Sequence, residues 1–238
     1  MIGAVVFALA LSACPAPVEP TKTPAKQAAP PDASISRPAV LLPPMEGVWS
    51  AMDEQGQTFD LILFPNGQAI TTWTKGASGA RGERGWWRST ADGATIFFDD
   101  GWTDFVVQDG SSFRHRGFSP GRPTSGQATN ESAARRIEGP EAAYVGIWWL
   151  NKEPDGSDLY VALQSGGRAF STINPGEGKW TATDEGALCE WSDGWTDLIT
   201  LTPEGYRKRS WVGSRENATP ADISPVRRVG AEKFSVAP

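Results

Sequence analysis

The stretch Asp100-Gly101-Trp102-Thr103-Asp104 occurs a second time along the chain, as Asp193-Gly194-Trp195-Thr196-Asp197. The similarity extends to both sides of it, because the block 85–118 aligns on 178–211 without a gap and about a third of its positions are identical. Farther out the register continues with small changes in length. The sequence therefore predicts one module that is used twice.

Each copy shows the pattern of short strands joined by tight turns. Apolar and polar residues alternate in segments such as 59–63, and Asn-Gly and Asp-Gly pairs stand between the segments. This combination is typical of antiparallel hairpins, and a helical period is absent apart from a possible single turn at 132–136. We predict an all-β fold of two tandem homologous antiparallel barrels or meanders, over 45–139 and 144–232, with about six or seven strands each.

The chain begins with a short apolar run that is too short to span a bilayer, for which about 20 residues are needed, but fits a secretory signal. The run ends in Leu11-Ser12-Ala13-Cys14, which resembles the lipobox of bacterial prolipoproteins. That resemblance implies that 1–13 is a cleaved signal peptide and that Cys14 carries a lipid anchor, with a membrane as partner. It also implies the bacterial cell envelope. Pro15 replaces the Asp associated with inner-membrane retention, which favours the outer membrane.

The segment 14–44 has the composition of a tether. It is rich in Pro and Ala and contains few residues able to build a core. A polyproline-type segment rises by ~3.1 Å per residue, so this one could hold the folded body roughly 90 Å from the membrane. Because the chain has only two cysteines, lipidation of Cys14 would leave Cys189 without a disulfide partner, and we predict that Cys189 is a buried thiol.

Composition excludes several classes of function. With Lys+Arg 22 against Asp+Glu 28 the net charge is -6, which argues against binding of nucleic acid. One His and two Cys leave no material for a serine or cysteine triad or a histidine zinc site, so no cofactor and no metal site are predicted. His115 is predicted to be solvated and not a general base, because Lys208 is its counterpart.

The predicted register of the repeated hairpins defines a candidate site. A two-residue turn at Asp100-Gly101 pairs Phe97 with Asp104, and a three-residue turn at 203–205 pairs Asp197 with Trp211. Both registers place aromatic, acidic and arginine side chains on one non-core face of each copy. The predicted ligand-binding residues are Trp102, Asp104, Arg114, Arg116 and Phe118 in the first copy, and Trp195, Asp197, Arg207, Arg209 and Trp211 in the second.

These residue types are the ones that bind sugars, since aromatic rings stack on sugar faces while carboxylates and guanidinium groups hydrogen-bond hydroxyls. The sequence thus predicts a non-catalytic, lipid-anchored envelope protein that binds a polysaccharide or peptidoglycan. The alternative is a structural or protein-interaction lipoprotein of an envelope complex, whose faces pack on each other or on a protein. A hydrolase using Asp104 and Asp197 is less favoured, because neighbouring arginines are expected to keep both carboxylates ionised.

Overall fold

A computed structural model of the chain describes residues 44–73, 80–152, 156–173, 177–216 and 218–231. The predicted signal peptide 1–13, the lipidation site Cys14 and all of the predicted tether except Pro44 lie outside these residues. Within the described ranges, no helix is both long enough and apolar enough to cross a membrane.

The first module is a closed antiparallel barrel of eight strands. Each strand pairs with its neighbour along the chain, and the last strand returns to pair with the first. Positions 132–136 lie in that last strand, so the expectation of a possible helical turn there is wrong. The strands are β1 Gly47–Met52, β2 Thr58–Leu63, β3 Gln68–Thr71, β4 Glu83–Ser89, β5 Gly93–Phe98, β6 Thr103–Asp109, β7 Ser112–Phe118 and β8 Asn130–Ile137.

The second module repeats this topology in a nine-stranded sheet. Its strands are β9 Gly146–Lys152, β10 Asp158–Leu163, β11 Arg168–Ser171, β12 Glu177–Thr183, β13 Gly186–Glu190, β14 Trp195–Thr202, β15 Gly205–Val212, β16 Asp222–Pro225 and β17 Arg227–Arg228. Only Val226 separates β16 from β17, and these two strands pair with β15 and β9 respectively. The segment 222–228 thus pairs with the first and the seventh strand of its module in two short pieces, whereas β8 makes the equivalent pairings as one continuous strand. The predicted all-β fold of two tandem barrel-like repeats is confirmed.

Two duplicated tryptophans stabilise each barrel from within, and they do so in the same way in both modules. The indole N–H groups of Trp49 and Trp87 donate to main-chain carbonyl oxygens at 2.8 Å each, and those of their counterparts Trp148 and Trp180 do so at 2.8 and 2.7 Å. Each of these rings is at least nine-tenths buried or packed against a core cluster. Their retention in both copies is therefore explained by folding alone.

The two modules share one of their hydrophobic clusters. Ile62 and Phe64 of the first module belong to the same buried cluster as Ile147 and Leu163 of the second. The interior of the first barrel forms a separate cluster around Trp49. Apolar side chains of the first module thus pack against the core of the second, whereas the interior of the first barrel is a cluster of its own.

Candidate functional site

The turn between β5 and β6 has three residues. Phe98 N–H donates to the carbonyl of Trp102 over 2.9 Å, and Gly101 N–H donates to the carbonyl of Phe98 over 3.0 Å. Gly101 adopts a left-handed conformation with φ 91°, as the last position of such a turn requires. Asp104 consequently pairs with Ile96. The predicted two-residue turn is wrong, and the shift by one residue turns Trp102 and Asp104 toward the barrel interior.

The second copy has the same three-residue turn, in which Trp191 N–H donates to the carbonyl of Trp195 over 2.9 Å. The next turn, predicted to have three residues, has two, because Thr202 pairs with Gly205. Asp197 therefore lies opposite Ser210 and not opposite Trp211. The two predicted turn lengths are wrong in opposite directions, and each error changes which residues share a face.

The predicted single face is consequently divided between the two sides of the sheet. In each module the Trp and the Asp of the repeated stretch point inward, whereas the arginines and the second aromatic point outward. The inward residues are Trp102, Asp104, Trp195 and Asp197. The outward residues are Arg114, Arg116, Phe118, Arg207, Arg209 and Trp211.

The outward residues form contacts of their own. Arg114 binds Asp109 and Glu131 at 2.7 and 2.9 Å, and hydrogen bonds to these two carboxylates raise the pKa of its guanidinium. Phe118 and Trp211 are buried, with Arg116 and Arg209 over their rings at 5.2 and 5.7 Å. Buried rings offer no face to a sugar, so the outer side of the sheet is a poor glycan surface.

Trp102 and Asp104, the inward residues of the first module, line a cavity at the mouth of the first barrel. The cavity measures about 110 Å³ and opens at the end of the barrel that carries the β1–β2 and β5–β6 turns. Two tryptophans form part of its walls, and the rings of Trp73 and Trp102 lie 6.0 Å apart at an angle of 55°. Phe59 and Phe98 complete the aromatic part of the lining.

The floor of this cavity is an acid–imidazole pair. Oδ2 of Asp104 lies 3.0 Å from Nε2 of His115, and these residues are 6% and 1% exposed. The predicted solvated position of His115 is therefore wrong, as is the arginine neighbour expected for Asp104. Gly117, also in the lining, leaves the other carboxylate oxygen open: a Cβ at this position would lie 3.1 Å from Oδ1.

An equivalent cavity of about 310 Å³ opens at the mouth of the second barrel. Both oxygens of Asp197 are hydrogen-bonded there, Oδ2 to Nε1 of Trp191 at 2.8 Å and Oδ1 to Oγ of Ser210 at 2.5 Å. Lys208 takes the place of His115 and lies 3.2 Å from Oδ2 of Asp222. The two cavities thus share a position in the fold and the Trp-x-Asp stretch, but they differ in charge.

Neither Trp102 nor Trp195 lies in the cluster between the modules. Trp195 is 38% exposed and Trp102 is partly exposed.

Cys189, opposite Asp197 on β13, is a fully buried thiol as predicted. Burial, with a smaller effect from Asp197, raises the pKa of Cys189, which keeps the thiol protonated and unreactive.

Sequence reasoning missed several lining residues, above all Trp73, Phe59 and His115. Phe59 begins an alternating strand. His115 and Lys208 occupy the same position in the two copies, which indicates a polar residue on an inward face. No comparable signal identifies Trp73, whose counterpart in the second module is Ile173. Both cavities depend on turn lengths that the sequence does not determine.

Comparison of the chain with protein-family models, with curated proteins and with solved structures gives no match. Among the described residues, no group of three or more His, Cys, Asp or Glu side chains could hold a metal ion. A function for this chain has therefore to be inferred from the chemistry of the two cavities.

Proposed function

We propose that the protein is a lipid-anchored, non-catalytic binding module of the bacterial cell envelope, which holds a polysaccharide or peptidoglycan strand in the mouths of its two barrels. One observation supports this most strongly. The repeated Trp-x-Asp stretch lines an equivalent cavity in both modules, with Trp102 and Asp104 in the first and Trp195 and Asp197 in the second.

The chemistry of these cavities suits a sugar. An indole face stacks on the C–H groups of a pyranose ring, and an adjacent carboxylate accepts hydrogen bonds from hydroxyls. Barrel mouths are also common positions for ligand sites. The site we propose is thus the inner side of the repeated hairpin, and Trp102 and Trp195 are its stacking platforms.

A hydrolytic role for the two aspartates is less favoured by the same geometry. Asp104 and Asp197 line different cavities, whereas the two carboxylates of a glycosidase flank one bond, about 5 to 9.5 Å apart. Both oxygens of Asp197 are also engaged by Trp191 and Ser210. We therefore assign binding, without bond cleavage, to the pair.

Two weak sites on one chain would act together. Binding of one cavity raises the effective concentration of the same polymer at the other, so the overall affinity exceeds that of either cavity alone. The proposed lipid on Cys14 and the tether 14–44 would add to this effect by keeping the barrels close to the envelope polymer. Mass spectrometry of the mature N-terminus tests this part, with a lipid-modified Cys14 as the expected result and an unmodified one as the contrary result.

Retention on insoluble peptidoglycan tests the binding function. We expect Trp102→Ala and Trp195→Ala to reduce retention of the full chain several-fold each, since loss of one stacking platform costs about 1 kcal/mol, and the double variant to abolish it. Trp86→Ala is the matched control, because Trp86 is 50% exposed but belongs to neither cavity. A folded double variant retained like the wild type would refute glycan binding at these cavities and favour the structural or protein-interaction alternative.

A further inference from the structure

We propose that the cavity of the first barrel binds the ammonium end of a small organic amine, with Oδ1 of Asp104 as its main acceptor. This inference rests on the proposed function in one respect: the ammonium group would be the part of the envelope glycan that this cavity binds. The second cavity does not share the specificity.

The first observation is a carboxylate oxygen in the cavity lining that receives no hydrogen bond from the fold. Asp104 is 6% exposed, and its Oδ2 is taken by His115. Its Oδ1 accepts no hydrogen bond from any residue that the structure describes. A carboxylate oxygen that is screened from bulk water gains more from a hydrogen-bond donor than an exposed one does, and it gains most from a charged donor. Oδ1 therefore favours a ligand that brings an N–H with positive charge.

The second observation is the other ring nitrogen of His115. Its Nδ1 is buried and has no hydrogen-bond partner within the described ranges, although His115 lines the cavity. In the tautomer whose ring hydrogen lies on Nε2 and is donated to Oδ2 of Asp104, Nδ1 is an acceptor. In this tautomer, Oδ1 of Asp104 and Nδ1 of His115 are two acceptors that receive no hydrogen from the described residues.

The walls favour a cation over a neutral donor. Trp73, Trp102, Phe59 and Phe98 surround the cavity, and aromatic faces attract ammonium groups within about 6 Å through their negative π-density. The rings of Trp73 and Trp102 lie 6.0 Å apart at an angle of 55°, and both residues line this cavity. An ammonium group at the floor would be held between these faces and the carboxylate.

The rim carries the same electrostatic preference. The described lining residues include no Lys or Arg, whereas they include four carboxylates besides that of Asp104. A cleft lined by charges of one sign raises the local concentration of the opposite ion. The rim carboxylates are those of Asp53, Glu54, Glu83 and Asp100.

The second barrel shows what the same fold does when the acceptor is used internally. Ser210, the counterpart of Gly117, donates its hydroxyl to Oδ1 of Asp197 at 2.5 Å. Lys208 adds a buried positive charge to that lining, which disfavours a second cation. Gly117→Ser is therefore a natural way to close the first site, since the repeat already accommodates serine at this position.

Calorimetric titration of the full chain tests the proposal with ligands that separate its elements. Glucosamine and n-butylammonium carry a primary ammonium on a sugar and on an alkyl chain, N-acetylglucosamine lacks the charge, and choline has the charge but no N–H donor. We expect both primary ammonium compounds to bind. Binding of the two other compounds should be at least about tenfold weaker, because each lacks one half of a charged hydrogen bond.

Variants locate the site. Gly117→Ser and Asp104→Asn should each lower the association constant for n-butylammonium by about tenfold or more, whereas Asp184→Asn, an exposed turn residue outside both cavities, should leave it unchanged. Near-ultraviolet circular dichroism verifies folding. If both variants fail to fold, the ligand series on the unchanged protein still decides.

Three results would overturn the proposal: no binding of either primary amine, equal binding of the acetylated or quaternary compounds, or undiminished binding by folded Gly117→Ser. Failure here is distinguishable from failure of the proposed function. If the protein is retained on peptidoglycan but shows no preference for amines, only the proposed ammonium specificity is refuted. If it binds amines but is not retained on peptidoglycan, only the proposed glycan binding is refuted.

Discussion

Ser165 of the second module donates its main-chain N–H and its hydroxyl to the carboxylate of Asp60 in the first, at 2.8 and 2.5 Å. Asp60 is completely buried, and Ser165 is 5% exposed. The contact has no counterpart in the other direction, because Tyr160 and Pro65 occupy the corresponding positions of the repeat. The two modules are thus joined by an asymmetric polar contact, in which the first module contributes the carboxylate and the second contributes the hydrogen-bond donors.

Removal of the Ser165 hydroxyl should weaken this contact. We expect Ser165→Ala to lower the free energy of unfolding by about 1–3 kcal/mol, because a buried carboxylate oxygen loses a donor and receives none in return. Urea denaturation of the full chain measures the effect. Ser112→Ala is the control, since the Ser112 hydroxyl also donates a hydrogen bond but is exposed; equal effects of the two changes would contradict a special role for the contact.

The same carboxylate should make stability depend on pH. Burial raises the pKa of Asp60, and the hydrogen bonds from Ser165 and Thr72 offset this only in part. An acid whose folded pKa is raised contributes stability below its unfolded pKa, about 3.9, and loses it as the pH rises through the folded value. Relative to Asp60→Asn, the wild type should therefore become less stable as the pH rises from 4 toward neutrality, in urea denaturation at a series of pH values. A difference that is constant with pH would show that the pKa of Asp60 is not raised.

The pair at the floor of the first cavity should behave as a unit. We expect His115→Phe to lower the free energy of unfolding by about 3 kcal/mol, because it leaves the buried carboxylate of Asp104 without its partner. Addition of Asp104→Leu should recover most of this loss, since the unpaired charge is then gone. Thermal denaturation of both single variants and the double variant measures the coupling, and simple additivity of their effects would argue against a buried pair.

Exchange of Gly117 and Ser210 between the two repeats should have opposite effects on stability. Ser210→Gly removes the donor to Oδ1 of Asp197 and should cost about 1–3 kcal/mol. Gly117→Ser supplies such a donor to Asp104 and reduces the freedom of the unfolded chain, so stability should be unchanged or higher by up to about 1 kcal/mol. Denaturant midpoints test both changes, and a large loss from Gly117→Ser would mean that the first barrel lacks room for the hydroxyl.

Cys189 should be inert in the folded protein. Its pKa is raised by burial, so the thiolate that reacts with alkylating agents is scarce at pH 8. Peptide mapping after iodoacetamide treatment should find Cys189 unmodified in buffer and fully modified in urea. Rapid modification in buffer would place the thiol at a surface.

The fold was predictable from the sequence because two signals agree, the duplication and the alternation of apolar residues along short strands. The faces were not, because an Asp-Gly pair such as Asp100-Gly101 suits both a two-residue turn and the end of a three-residue turn. In both cases glycine takes the left-handed position, and the sequence contains nothing that selects between them. The two turn lengths differ little in local energy, yet the turn length decides on which side of the sheet Asp104 lies.

Burial of a polar residue also works against sequence reasoning. Glu190 indicates the non-core side of β13 correctly, since Glu190 is exposed and its neighbour Cys189 is buried. The error arises when this assignment is carried across the turn to β14. Asp197 lies among buried residues because Trp191 and Ser210 satisfy it, and partners of this kind become known only when the strands are in register.

Indole signals offer the most direct test of whether ligands bind on the inner side of the repeated hairpin. In the ¹⁵N-labelled full chain, titrated with soluble peptidoglycan fragments, we predict chemical-shift changes at the indole N–H groups of Trp102 and Trp195 and none at Trp211, on the outer side. Changes at Trp211, with Trp102 and Trp195 unaffected, would contradict binding in the barrel mouths.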